Sequence, residues 1–156
     1  MRLTFIAALA AVILGTTAAA ATAASPIKYR ITMNAICKVY GAKLVAQQDV
    51  MSRASVARRT HQFEAAFRKY LTLSLRQNHQ LEAVRVPPSL QPTVKPVIKL
   101  MKKVDAHLFK ALVNSRKGNL AAARSQMKTI ARVGGQLPSQ LDSVGLISCG
   151  SIQQQQ

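Results

Sequence analysis

The groups in this chain that could form covalent bonds, move protons or hold a metal are few: Cys37 and Cys149, His61, His79 and His107, and the carboxylates Asp49, Glu64, Glu82, Asp105 and Asp142. Acid–base catalysis needs titratable groups set against one another in a shared site. No two of these carboxylates have the close spacing of a glycosidase or metal-carboxylate motif. The histidines are scattered, and none belongs to an HExxH sequence. His61 and His79 read as surface or boundary residues, while His107, beside Leu108 on an apolar seam, reads as structural rather than as a metal or haem ligand. No GxSxG elbow or SxxK pair is present, and neither Gly118 nor the pair Gly134 and Gly135 has the context of a phosphate loop. The expectation is a protein that is not an enzyme, with no resident cofactor and no metal site.

The cysteines take their meaning from the start of the chain. MRLTFIAALAAVILGTTAAAATAA has a basic second residue, an apolar centre and an alanine-rich end, the layout of a secretory signal peptide over residues 1–24, with cleavage favoured after Ala24. Exactly two cysteines in an exported chain, with no CxxC motif, predict one structural disulfide between Cys37 and Cys149. No cysteine stands at the cleavage junction to carry a lipid. Nothing later in the chain approaches 18 consecutive apolar residues, so no transmembrane span is expected. The address is secreted or extracytoplasmic, at the cell envelope.

The elements that position these groups are helices, because apolar residues recur at three-and-four spacing and almost nowhere alternate. Met33, Cys37, Tyr40 and Leu44 line one face of a first helix, which Ile36 and Val39 widen, despite Gly41. Ser55 is the expected cap of a second helix whose inward residues are Phe63, Phe67, Tyr70, Leu71, Ser74 and Leu81. Pro87 and Pro88 break it. The third helix starts at Ser89 at the earliest, with Pro96 either kinking its opening or marking its true start. Val97, Leu100 or Met101, Val104, Leu108, Ala111 and Leu112 face inward. Gly118 and Asn119 predict a tight hairpin, glycine ending one helix and asparagine capping the next. A fourth helix then runs from Leu120 through Met127 and Ile130 to Val144, bent by Gly134, Gly135 and Pro138. The fold class is all-α, an antiparallel four-helix up-down bundle over residues 25–152, closed by one disulfide and followed by a disordered Gln tail at 153–156. One domain of this size excludes a Rossmann module with a partner domain, and a TIM barrel.

The segments NAIC (34–37), PPSL (87–90), KGNLAAA (117–123) and VGLISCG (144–150) together resemble a loose group of small exported two-cysteine helical proteins from high-GC Gram-positive bacteria. The resemblance spans nearly the whole mature chain. It implies a helical scaffold and an address outside the cytoplasm, and it carries no catalytic residue.

Charge is the strongest functional feature. The 156 residues hold 22 Lys and Arg against 5 Asp and Glu, a net charge of +17. Losing the first 24 residues removes Arg2 but no acid, which leaves a mature chain of 132 residues at +16. Arg58, Arg59, Arg68, Lys69 and Arg76 fall on the second helix as read from sequence, and Lys99, Lys103, Lys110 and Lys117 form one solvent-facing row on the third. The candidate anion-binding face is Arg58, Arg59, Arg68, Lys69, Lys99, Lys103, Lys110 and Lys117, suited to an anionic wall polymer or to lipid headgroups. Sequence-specific nucleic-acid binding is not expected, because RGG, RRM and zinc-finger patterns are missing. Tyr40, Phe63, Phe67, Tyr70 and Phe109 stand at positions suited to core packing rather than base stacking. Three functions follow: association with an anionic envelope component, carriage of a small ligand or cofactor in an interhelical pocket near 134–138 and His107, or catalysis at a site assembled from distant residues.

Overall fold

The structure, a computed structural model, describes residues 25–149; the expected signal peptide at 1–24 and Gln tail at 153–156 lie outside the described residues. Helix α1, Pro26–Val56, starts where Ser25 Oγ accepts the Lys28 N–H at 3.2 Å, and Pro26 occupies the first turn, where its missing donor costs nothing. Tyr29, Met33, Cys37, Tyr40 and Leu44 are buried in a row, and Gly41 is buried among them. The face is narrower than expected. Ile36 is half-buried and Val39 is 54% exposed, because at 100° per residue Val39 stands about 120° round the helix from the buried row.

Ser55 is not the cap of a second helix; it lies in the last turn of α1, and α2 spans Thr60–Ala83. Helical spacing continues through Met51 and Ala54, and this tertiary signal outweighs the local capping preference of a serine. The turn closes when the Arg59 N–H reaches the Ala54 carbonyl at 2.8 Å, with Arg58 in the left-handed region at φ 54°. This is a Schellman-type closure with arginine where glycine is usual.

A 3₁₀ turn at Pro88–Leu90 leads into α3, Gln91–Arg116, with Pro92 in its first turn and Pro96 inside it. Gly118 then takes φ 75°, and the Asn119 side chain caps α4, Leu120–Gly134, by accepting the Ala122 N–H at 3.0 Å. The hairpin is the one that glycine and asparagine predict. Beyond it, the single fourth helix of the sequence reading is two elements, α4 and α5, the latter Leu137–Ser143. Two glycines weaken the helix at the break, and Pro138 is tolerated only in the first turn of a new one. Gly134 also lets α4 approach α3, since an added Cβ would stand 3.1 Å from Val104 Cγ2. The described residues thus form an all-helical fold of five α-helices without strands. Helices α1 and α2 pack together, as do α2 with α3 and α3 with α4.

The core has two parts. One joins Met33 and Cys37 to Leu81, Met101, Leu141 and Leu146. The other joins Phe67 and Leu71 of α2 to Val104, Leu108 and Leu112 of α3 and Ala123 of α4. Phe109 does not belong to either; it is 60% exposed, about 110° round α3 from the buried row.

The first part is fastened to the end of the described chain. Cys37 and Cys149 form the disulfide, with Cα atoms 5.0 Å apart. Beside it, Asn34 donates from Nδ2 to the Gly145 carbonyl at 3.1 Å and accepts the Ser148 N–H at 3.0 Å, while Arg30 Nε donates to the Val144 carbonyl at 3.0 Å. The segments NAIC and VGLISCG therefore meet in space. Asn34→Ala removes two hydrogen bonds of about 1 kcal/mol net each. A loss of about 2 kcal/mol is expected in urea unfolding, with Asn34→Asp keeping the bond from Ser148 and losing less.

Candidate functional site

The chemical groups do not converge on one centre. His61 and His79 are exposed, as read from sequence. His107 is half-buried, with Nδ1 2.9 Å from Gln126 Oε1 on α4. Among the described residues, no three or more His, Cys, Asp or Glu side chains gather where they could hold a metal ion. Two carboxylates distant in sequence do meet. Asp105 on α3 accepts from Asn78 Nδ2 on α2, with Glu82 and His79 close enough to act on its charge. Burial pushes the Asp105 carboxyl above its ordinary range; Asn78 and His79 oppose that rise and Glu82 adds to it.

The raised proton affinity has a sign that can be measured. A carboxyl that binds its proton more tightly when folded contributes stability below its ordinary value of 3.8, and that contribution is lost as pH rises through the folded value. Asp105→Asn is expected to abolish this loss. The difference in urea midpoint between the variant and the native protein should then grow in the variant's favour from about pH 4 to about pH 7. A constant difference would show that Asp105 does not titrate anomalously.

The basic residues are placed mostly as read. Lys99, Lys103 and Lys110 lie on the side of α3 opposite its buried row, and Lys117 follows at its C-terminal cap; all four are exposed. Lys69 is exposed on α2. Arg58 and Arg59 are exposed in the turn after α1 rather than on α2, a consequence of the longer first helix. Arg68 differs from the rest: it is half-buried and 3.5 Å from Glu64. Among the described residues the other seven have no carboxylate within 4 Å.

Among the described residues, two openings between the helices stand out. The larger, a groove of about 640 Å³, is walled by Gln48, Met51, Ser52, Ser55 and Val56 of α1, by Phe63, Phe67 and Tyr70 of α2, and by Arg124, Met127 and Lys128 of α4. The smaller, about 310 Å³, lies deeper and is lined by Leu44, Ser74, Val104, Leu108, Gly134 and Cys149 among others. It touches both parts of the core, and Tyr70 and Met127 line both openings. Gly134, Gly135 and Pro138 border the inner cavity, as the bend in the sequence suggests, but His107 does not. The outer groove was not visible from sequence. Its signals were Met51 and Val56 near the end of α1, and a basic pair four residues apart on α4.

Across the groove mouth the Arg124 guanidinium lies 5.6 Å from the centre of the Phe63 ring, and that ring stacks on Phe67 at 6.1 Å. Asp105 and Glu82 line neither opening. Among the described residues no helix is long and apolar enough to cross a membrane.

The fold and its openings define a disulfide-closed helical protein with a basic surface and an apolar groove. Comparison with protein-family models, with curated proteins and with solved structures returned no match.

Proposed function

We propose that this is a noncatalytic exported protein whose four long helices form an antiparallel up-down bundle, and whose basic surface associates with an anionic component of the cell envelope, a wall polymer or lipid headgroups. The reading keeps it with the small exported two-cysteine proteins that its motifs resemble. The lysine row on α3 carries the proposal: Lys99, Lys103 and Lys110 are exposed, unpaired among the described residues and opposite the buried side. Such a row projects an attractive field that salt screens over about 8 to 10 Å. A disulfide also suits an oxidising compartment.

The test is sedimentation with vesicles rich in phosphatidylglycerol and with a soluble polyphosphate, across a salt series. Each lysine near an anionic membrane is worth about 1 kcal/mol, so Lys99→Gln, Lys103→Gln and Lys110→Gln together should weaken vesicle binding by about 100-fold. Binding should fall steeply with salt. A native protein that ignores both probes at low ionic strength, or a triple variant that binds as well as it does, would end this reading.

A second reading, carriage of a small ligand between helices, is supported by a separate observation: an apolar groove and a deeper opening lie side by side, with Tyr70 and Met127 lining both.

A further inference from the structure

We infer that the groove between α1, α2 and α4 binds a single-chain anionic amphiphile, its acyl chain lying along the apolar walls and its charged head held by Arg124 and Lys128. The inference rests on the carrier reading and names the ligand class.

The walls come first. Met51 and Val56 on α1 face Phe63, Phe67 and Tyr70 on α2, and Val56 is 85% exposed although apolar. Water in contact with such a surface is displaced favourably by hydrocarbon. The groove's volume, about 640 Å³, falls in the range of about 300–1,000 Å³ typical of small-molecule sites. Shape favours a chain over a compact ring system. From Val56, which lines the groove, to Leu44, which lines the inner opening, α1 rises about 18 Å, and Tyr70 and Met127, which line both, stand between the two.

The fourth wall decides the charge. On α4, Ala123 is buried and Met127 and Ile130 are half-buried, which sets the inward direction. Arg124 stands about 90° and Lys128 about 130° round α4 from that direction, both exposed, and both line the groove. Neither has a carboxylate within 4 Å among the described residues. A cation–π contact at 5.6 Å holds the Arg124 guanidinium beside Phe63, and its N–H groups suit a carboxylate or phosphate, for which a planar fork is well matched.

The surroundings have the same sign. Residues 48–70 and 120–128, the segments that wall the groove, carry Arg53, Arg58, Arg59, Arg68, Lys69, Arg124 and Lys128 against Asp49 and Glu64, and Glu64 is already engaged by Arg68. A cationic amphiphile would be repelled, and a neutral one would leave the two cations at the mouth without a counter-charge.

Palmitate and hexadecanol, which share a hydrocarbon chain and differ at the head, are the probes, read by calorimetry and native mass spectrometry on the protein purified with its disulfide intact. The native protein should take one palmitate and bind it at least tenfold more tightly than hexadecanol. Arg124→Gln with Lys128→Gln should erase that preference without weakening hexadecanol. Ser52→Trp, at an exposed position on the groove wall, should block both probes while circular dichroism shows an unchanged helix content. The triple lysine variant on α3 should bind palmitate normally. If hexadecanol binds as tightly as palmitate, the anionic head is wrong and the carrier reading survives. If neither binds, both readings fall. If palmitate binds and Ser52→Trp changes nothing, the groove is not the site and this inference alone falls.

Discussion

Reducing the bond between Cys37 and Cys149 is expected to lower the midpoint of thermal unfolding by about 19 °C. The bond joins residues 112 apart in sequence, and in the chain-entropy account a closed loop of about 100 residues restricts the unfolded state by about 4.7 kcal/mol. Spread over a domain of this size, each kcal/mol moves the midpoint by about 4 °C. Both cysteines are buried, at 0% and 5% exposure. Reductant should therefore act slowly on the folded protein and quickly once urea opens it. Mass spectrometry of the untreated protein should find two hydrogens fewer than after reduction. A scan with dithiothreitol that reproduces the untreated midpoint would show that packing alone holds the two ends of the described chain together.

Leu71→Ala is expected to cost about 3 kcal/mol in urea unfolding, within the usual span of about 2–5 kcal/mol for such truncations. Leu71 is 0% exposed and packs with Phe67, Val104, Leu108 and Leu112 in the part of the core that the disulfide does not reach. No crosslink compensates for lost contacts there. Val39→Ala on exposed surface is the control, with an expected change within about 0.5 kcal/mol. Equal costs for the two substitutions would mean that the second core part is not packed as described.

The residues that were readable from sequence are those whose role is set by a local rule or by a rule with one solution. Two cysteines leave one intramolecular pairing. Gly118 followed by Asn119 leaves one kind of turn, and the buried rows of α1 and α3 follow from spacing. The misread residues depend on what lies opposite them. Ser55 has the chemistry of a cap, but Met51 and Ala54 keep the helix going. Phe109 looks like core and lies off the buried row. Asp105 and Glu82 are 23 positions apart in sequence and meet only because α2 packs on α3. The groove was hidden for the same reason: Met51, Phe63 and Arg124 have nothing in common until three helices are set side by side. The lysine row was legible because it needs no partner helix to be recognised.

The long span of the disulfide also sets an order of events in time. At about 5–20 residues per second, a ribosome that has just made Cys37 needs between about 6 and 22 seconds to reach Cys149, 112 residues later. For that interval every nascent chain carries one thiol with no intramolecular partner. Any disulfide formed with another molecule in that interval has to be undone by thiol exchange before Cys149 can close the native bond.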